Sequence, residues 1–178
     1  MAKRKGFSQV EPNHLSGIVT GNIYAQLPVD TTTMGDVIEN GRFAKYNYAA
    51  NKVDLAGAGE WMLIYNEEKL YDERFKSHKD FAMIKSNFSD GKIVPRLIKT
   101  FVGDIFTTNA FLTTTGDTVA SNTDEITIPD LAVGNKLVIG NKGYLEKAGE
   151  NPTGIIFQVV KVYTMPDGQF GVKIQRIA

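Results

Sequence analysis

The sequence predicts a mainly β protein, built from small β-barrel or sandwich lobes with one short helix and an extended N-terminal arm. Three observations support this prediction. Short apolar runs recur between Gly, Asn and Asp turns, the last third has strand-like runs at regular spacing with Gly turns between them, and only one segment has clear helical spacing. We divide the 178 residues into a flexible arm at 1–15, a β-rich lobe at 16–112 and a barrel-like lobe at 113–178. The boundary at 113 is soft, and the alternative that the two lobes form a single domain stays open.

Composition and charge exclude several classes of function. The chain has 20 basic and 20 acidic residues and no net charge, so it has no overall electrostatic preference for nucleic acid or membrane. It has no cysteine, which excludes disulfides, thiolate zinc sites and cysteine nucleophiles. No segment approaches the ~20 apolar residues of a transmembrane helix, and the first residues do not resemble a signal peptide. We therefore expect a soluble, intracellular product.

The N-terminal residues predict a flexible arm that orders on a partner. The basic cluster Lys3, Arg4 and Lys5 is followed by Phe7 and Val10 without periodicity. Three charges alone predict only a weak, salt-dependent attraction to phosphates or to an acidic protein surface. An inert tail would not need Phe7 and Val10, so these five residues are the candidate binding residues.

The first lobe is predicted to contain hairpins and one helix. Asn40-Gly41 is the strongest hairpin signal, because both central positions of a type I′ turn need positive φ. The run 61–65 is wholly apolar and predicts a buried strand. Residues 67–78 predict a helix, since apolar residues recur at spacings of three and four and acidic residues occupy the first turn.

The stretch 101–109, Phe-Val-Gly-Asp-Ile-Phe-Thr-Thr-Asn, is the densest local signal in the chain. A Gly-Asp turn stands directly before β-branched and aromatic residues, and the segments 35–46 and 134–147 have similar patterns. This recurrence predicts a corner between short strands, which is a scaffold element.

The second lobe has a clear β pattern. Five strands, separated by turns rich in Asn, Gly and Pro, are predicted at 126–128, 136–139, 144–146, 155–163 and 169–177. In the last two strands successive residues face opposite sides, and the turn Pro166-Asp167-Gly168 lies between them. These two strands therefore predict a C-terminal hairpin.

No residue pattern predicts a catalytic or metal site. The two histidines, His14 and His78, are far apart and lack further ligands at fixed spacing, so no metal or cofactor is predicted. The acidic pairs at 67–68 and 72–73 suit the positive end of a helix dipole. Phosphate-binding loops, nucleophile elbows and dinucleotide fingerprints are missing. We therefore predict that the protein is not an enzyme.

Five segments carry a resemblance to a known family, at 37–46 (Val-Ile-Glu-Asn-Gly-Arg-Phe-Ala-Lys-Tyr), 60–68, 80–84, 95–96 and 102–109. Together they resemble the head decoration, or auxiliary capsid, proteins of tailed bacteriophages. The resemblance is spread over roughly residues 35–147. It implies a β-rich, often trimeric protein that sits on the outside of a mature head and clamps neighbouring major-capsid subunits. In such proteins an N-terminal arm commonly orders on the capsid, which would assign Lys3, Arg4, Lys5, Phe7 and Val10 to capsid binding.

The resemblance also implies a location and a set of partners. We expect a virion structural protein, made in the host cytoplasm and placed on the capsid surface, whose partners are the major capsid protein and its own copies in a homotrimer. No cofactor, nucleic acid or membrane partner is expected.

Three alternatives stay open. A carbohydrate- or host-surface-binding β module would present clustered aromatic residues on one exposed face. A tail or neck component is possible because many decoration proteins are shorter than this chain. A small hydrolase would need a polar pocket with perturbed carboxylates around Asp104 or Glu67.

Overall fold

The computed structural model describes residues 2–66, 81–112 and 125–178, and it confirms a mainly β protein. Several antiparallel sheets are present, and none within these residues closes into a barrel, so the fold is sandwich-like. The helix predicted at 67–78 lies outside the described residues. In chain order the strands of the described part are β1 (Lys3–Lys5), β2 (Val10–His14), β3 (Ile23–Tyr24), β4 (Val37–Ile38), β5 (Phe43–Asn47), β6 (Lys52–Asp54), β7 (Met62–Ile64), β8 (Met83–Ile84), β9 (Leu97–Ile98), β10 (Ile105–Thr108), β11 (Glu125–Thr127), β12 (Lys136–Ile139), β13 (Leu145–Lys147), β14 (Ile156–Thr164) and β15 (Phe170–Arg176).

The larger sheet has the order β13-β12-β14-β15-β10-β2, with antiparallel neighbours throughout. β14 and β15 form the predicted C-terminal hairpin, from Phe157 opposite Arg176 to Thr164 opposite Phe170. Gly168 in the connecting turn has a φ of +83°, which an L side chain rarely adopts. The alternating pattern and the turn residues therefore predicted this hairpin correctly.

The smaller sheet has the order β3-β9-β7-β5-β6. Its central strand, β7, confirms the buried strand predicted at 61–65, because all three of its residues are buried. Leu63 belongs to one hydrophobic cluster, whereas Met62 and Ile64 belong to another on the opposite face. A strand that is covered on both faces has apolar residues at every position, and the sequence therefore shows a continuous apolar run.

The two larger sheets share one hydrophobic core. Phe43 of β5 and Leu63 of β7 belong to the same buried cluster as Phe106 of β10 and Phe157 of β14. The centroid of the Phe157 ring lies 5.5 Å from that of Phe43 and 5.7 Å from that of Phe106. These are tilted and edge-on contacts of the kind that aromatic pairs favour. The sheets therefore pack face to face across these rings, as in a sandwich.

Short elements complete the described part of the chain. β1 pairs with β11 and β4 pairs with β8, and two four-residue helices are present, α1 (Ser16–Val19) and α2 (Thr31–Met34). The side chain of Asp30 caps α2 by accepting a hydrogen bond from the backbone N–H of Thr32. This hydrogen bond lowers the pKa of Asp30.

The hairpin predicted at Asn40-Gly41 is wrong. β4 pairs with β8, whereas β5 pairs with β6 and β7, so the turn connects strands of different sheets. Gly41 has a φ of +90°, and the side-chain oxygen of Asn40 accepts a hydrogen bond from the backbone N–H of Asn66 at 2.7 Å. The turn residues were identified correctly, but turn chemistry does not specify which strand the outgoing chain pairs with.

The predicted boundary at 113 does not separate the two larger sheets. β2 and β10 precede this residue, yet both belong to the sheet whose other strands follow it. Residues on the two sides of the boundary also share the main core.

Candidate functional site

The N-terminal segment is extended, as predicted, but it is not a flexible arm. β1 pairs with β11, with Arg4 opposite Ile126, and β2 forms an edge of the larger sheet beside β10. The prediction of a free arm at 1–15 is wrong because backbone pairing with strands far along the chain satisfies this segment's hydrogen bonds. No periodicity within the segment itself could have indicated that pairing.

The five predicted binding residues are divided between the surface and the core. Lys3 and Lys5 are exposed, and Arg4 between them is buried, because side chains alternate along a strand. Phe7 and Val10 are buried in two different hydrophobic clusters. In the folded chain, therefore, only the two lysines of this set have exposed side chains, and Lys3 forms an ion pair with Glu125.

Arg4 is held by a buried carboxylate. Its guanidinium Nη2 donates to Oε1 of Glu39 at 3.1 Å, and both side chains are no more than 1% exposed. The same carboxylate accepts hydrogen bonds from the backbone N–H of Ser8, at 2.7 Å, and from the hydroxyl of Tyr144. Burial raises the pKa of Tyr144, and the charge of Glu39 acts in the same direction. Glu39 therefore connects the N-terminal segment, through Arg4 and Ser8, to Tyr144.

The stretch 101–109 is also a scaffold, as its sequence predicted. Asp104 is fully buried and accepts hydrogen bonds from the N–H and the hydroxyl of Ser16, at 3.0 and 2.6 Å, and from the N–H of Phe101 at 2.9 Å. Its carboxylate thus connects the corner to α1. Glu67, the other carboxylate considered for a hydrolase, lies outside the described residues.

A pocket of about 170 Å³ opens beside the smaller sheet. Its lining consists of aromatic, charged and small side chains, from Tyr24, Tyr46, Tyr48, Gly59, Glu60, Met62 and Lys99. The ring of Tyr46 makes edge-on contacts with the other two tyrosines, with centroids 5.5 Å from Tyr24 and 5.6 Å from Tyr48. Tyr46 is buried, whereas Tyr48 is 68% exposed, so one large aromatic side chain of the pocket is open to solvent.

Charged side chains form one side of this tyrosine pocket. Oε2 of Glu60 accepts a hydrogen bond from Nζ of Lys99 at 2.8 Å, and Oε1 lies 3.5 Å from Nη1 of Arg176. The hydrogen bond to Glu60 raises the pKa of Lys99. Arg176 also donates to the backbone oxygen of Thr100. Two cations thus surround one carboxylate, and this corner carries a net positive charge.

The sequence did not predict the tyrosine pocket, although one signal for it was present. Tyr46 and Tyr48 are two residues apart, which places them on the same side of an extended chain. Tyr24 reaches them only because β3 pairs with β9, and the same pairing brings Lys99 nearby. A Cβ at Gly59 would lie 2.9 Å from the Tyr46 backbone oxygen, so glycine allows this close approach of the loop to β5.

These features define a sandwich-like β protein with a buried polar network and an open aromatic pocket. Comparison with protein-family models, with curated proteins and with solved structures found no match. Across residues 2–66, 81–112 and 125–178, no helix has the length and apolar character needed to cross a bilayer. In the same residues, no three His, Cys, Asp or Glu side chains are grouped as a metal ion would require.

Proposed function

We propose that this chain is a non-enzymatic virion structural protein that binds the outside of a phage capsid and stabilises the major-capsid lattice. The observation that carries this proposal is the role of the buried polar side chains in the segments that resemble decoration proteins. Each of these side chains hydrogen bonds to another part of the chain; the residues are Glu39, Asn40, Arg42, Asn66, Asp104, Thr107, Thr108 and Asn109. Their polar groups serve the architecture, which suits a protein that must hold its shape while bound.

The folded N-terminal segment changes where the capsid contact would lie. Arg4, Phe7 and Val10 are buried, so they stabilise the protein and do not meet a partner. Lys3 and Lys5 lie on the exposed side of β1, and we place the contact there. Exposed charges of this kind guide association with an oppositely charged surface, and their effect weakens as salt rises.

Binding to an assembled lattice accounts for stabilisation without any chemical reaction. A protein that binds the lattice but not free subunits shifts the equilibrium towards the assembled state by mass action. A homotrimer would present three copies of the lysine face, so that contacts which are weak one by one combine into stable attachment.

Cosedimentation with expanded heads, built from the major capsid protein of the same genome, tests this proposal. The double variant Lys3→Glu/Lys5→Glu should pellet less with heads than the wild-type chain does. Lys136→Glu reverses an exposed charge on β12 and serves as a control for charge reversal away from β1. Circular dichroism checks that all variants are folded.

The outcomes separate the function from the location of the contact. If the wild-type chain does not pellet with heads, the proposed function is wrong. If the wild type pellets and the double variant pellets equally well, the contact is not on β1. Light scattering of the purified protein should give three times the mass of one chain, and a monomer would contradict the trimer.

A further inference from the structure

The size of the tyrosine pocket limits what it can hold. Its volume of about 170 Å³ lies below the ~300–1,000 Å³ of sites for drug-sized ligands. An occupant would therefore be about as large as one six-membered ring with its substituents. The pocket is open on one side, so that ring could belong to a longer molecule that extends into solvent.

The tyrosines provide a rigid apolar surface for such a ring. The hydroxyl of Tyr46 accepts a hydrogen bond from the backbone N–H of Gln26 at 3.1 Å, which holds this side chain in place beneath the pocket. Tyr48 packs edge-on against Tyr46 while most of its own surface stays in solvent. A ligand that stacks on Tyr48 would bury this surface and would immobilise few rotatable bonds.

The charges beside the tyrosines discriminate between two classes of ligand. Several aromatic rings with a carboxylate could also surround a quaternary ammonium group. Here, however, Lys99 and Arg176 both approach Glu60, and their combined charge would repel a cation. A neutral or anionic ligand avoids that repulsion.

The same groups suit a ligand that carries hydroxyls. The Glu60 carboxylate has acceptor positions beyond those used by its two cations, and the Lys99 ammonium has three N–H donors, of which Glu60 takes one. A hydroxyl can both donate and accept, so neighbouring hydroxyls on one ring could use both residues. The pocket therefore combines a flat apolar face with donors and acceptors at its edge.

We propose that the tyrosine pocket binds one pyranose unit of a glycan. The apolar C–H face of the sugar stacks on Tyr48, and its hydroxyls bond to Glu60 and Lys99. This site is separate from the capsid contact placed on Lys3 and Lys5, so each proposal can fail without the other.

Titration of the full-length, isotopically labelled protein with simple sugars tests the proposal by NMR. The probes are the methyl glycosides of glucose, galactose, N-acetylglucosamine and N-acetylneuraminic acid, with choline as the cationic comparison. A single sugar unit should bind with a Kd on the order of 1 mM, which corresponds to about −4 kcal/mol. We expect shifts of the backbone amides of Tyr48, Glu60 and Lys99, and the net positive corner predicts tighter binding of the acidic sugar.

Variants at Tyr48 show whether stacking carries the binding. Tyr48→Ala should weaken it about tenfold or more, since a loss of 1.4 kcal/mol already gives that factor. Tyr48→Phe keeps the ring and should weaken it much less. Because Tyr48 is mostly exposed, both variants should fold.

Three results would overturn the proposal. The first is the absence of amide shifts at the pocket with every glycoside at tens of millimolar, a concentration well above the Kd expected for millimolar affinity. The second is tighter binding of choline than of any sugar. The third is equal sugar binding by Tyr48→Ala and the wild type. Head cosedimentation by Tyr48→Ala, measured in parallel, should match the wild type, which keeps this test distinct from that of the capsid contact.

Discussion

The buried pair of Arg4 and Glu39 gives the sharpest test of how the N-terminal segment is held. Glu39→Gln keeps the shape of the side chain and removes its charge. The amide can still accept from the backbone N–H of Ser8, but the guanidinium of Arg4 then lies buried without a counter-charge. The variant therefore isolates the ion pair from most of the packing around it.

The structure sets the magnitude of the effect. At the observed separation of 3.1 Å, two unit charges attract by about 5 kcal/mol when the effective dielectric constant is ~20. Removing one member of a buried pair usually destabilises a protein by about 3–5 kcal/mol. A domain has a total stability of about 5–15 kcal/mol. We therefore expect Glu39→Gln to fold with its free energy of unfolding lowered by about 3–5 kcal/mol.

Urea denaturation measures this change, followed by circular dichroism and by the fluorescence of Trp61, the single tryptophan. Glu125→Gln is the matched control, because Glu125 pairs with exposed Lys3 on the same strand pair and should change stability little. Hydrogen exchange should show faster opening of β1 in Glu39→Gln than in the control.

A second substitution tests the physical reason. Arg4→Met removes the charge that Glu39→Gln leaves unpaired, so the double variant should be more stable than Glu39→Gln alone. The reasoning would be refuted if Glu39→Gln were no less stable than Glu125→Gln, or if adding Arg4→Met to Glu39→Gln restored nothing.

Four further substitutions test other parts of the fold by the same urea assay. Gly143→Ala should lower the free energy of unfolding by more than about 3 kcal/mol, because φ is +78° and the new Cβ would lie 2.2 Å from the Phe43 backbone oxygen. Gly154 has a similar φ of +82° but open space around it, so Gly154→Ala should lower the free energy of unfolding by only about 1–2 kcal/mol. Equal losses in the two variants would contradict the predicted clash. Asp104→Asn should lose about 2–3 kcal/mol, since one of the three donors to this carboxylate would face an amide NH₂; no loss would contradict its role as an anchor. The raised pKa of Tyr144 predicts that its contribution to stability is fully present below the ordinary value of 10.0 and is lost as the pH rises above it, because the unfolded chain ionises first. Tyr144→Phe should therefore lose less stability than the wild type between about pH 8 and about pH 11, and equal losses would contradict this pKa shift.

Several features of the fold could be predicted from the sequence because they depend on neighbouring residues. The alternation along β14 and β15 and the turn at Gly168 are visible within about twenty residues. The apolar run at β7 likewise indicated a buried strand. Asn40-Gly41 shows the limit of such reasoning, since the turn was identified correctly and its strand pairing was not.

The candidate site depended on residues that are distant in sequence. Arg4 and Glu39 are 35 positions apart, and Glu39 and Tyr144 are 105 apart. The basic cluster that contains Arg4 has the composition of a solvated tail. No neighbouring residue indicates that Arg4 has a buried carboxylate partner. Tyr24 and Lys99 reach the tyrosine pocket through the pairing of β3 with β9, which no local pattern specified.

By itself, the sequence determined the β class, the C-terminal hairpin, the buried strand within 61–65 and the scaffold role of the 101–109 corner. These follow from the period of two along a strand and from the backbone angles that turn residues permit. Only the tertiary structure decided that Arg4, Phe7 and Val10 are buried, and that three tyrosines line one pocket. The reason is physical: strand partners are chosen by the burial and hydrogen bonding of the whole chain, so distant residues determine which side of a segment faces solvent.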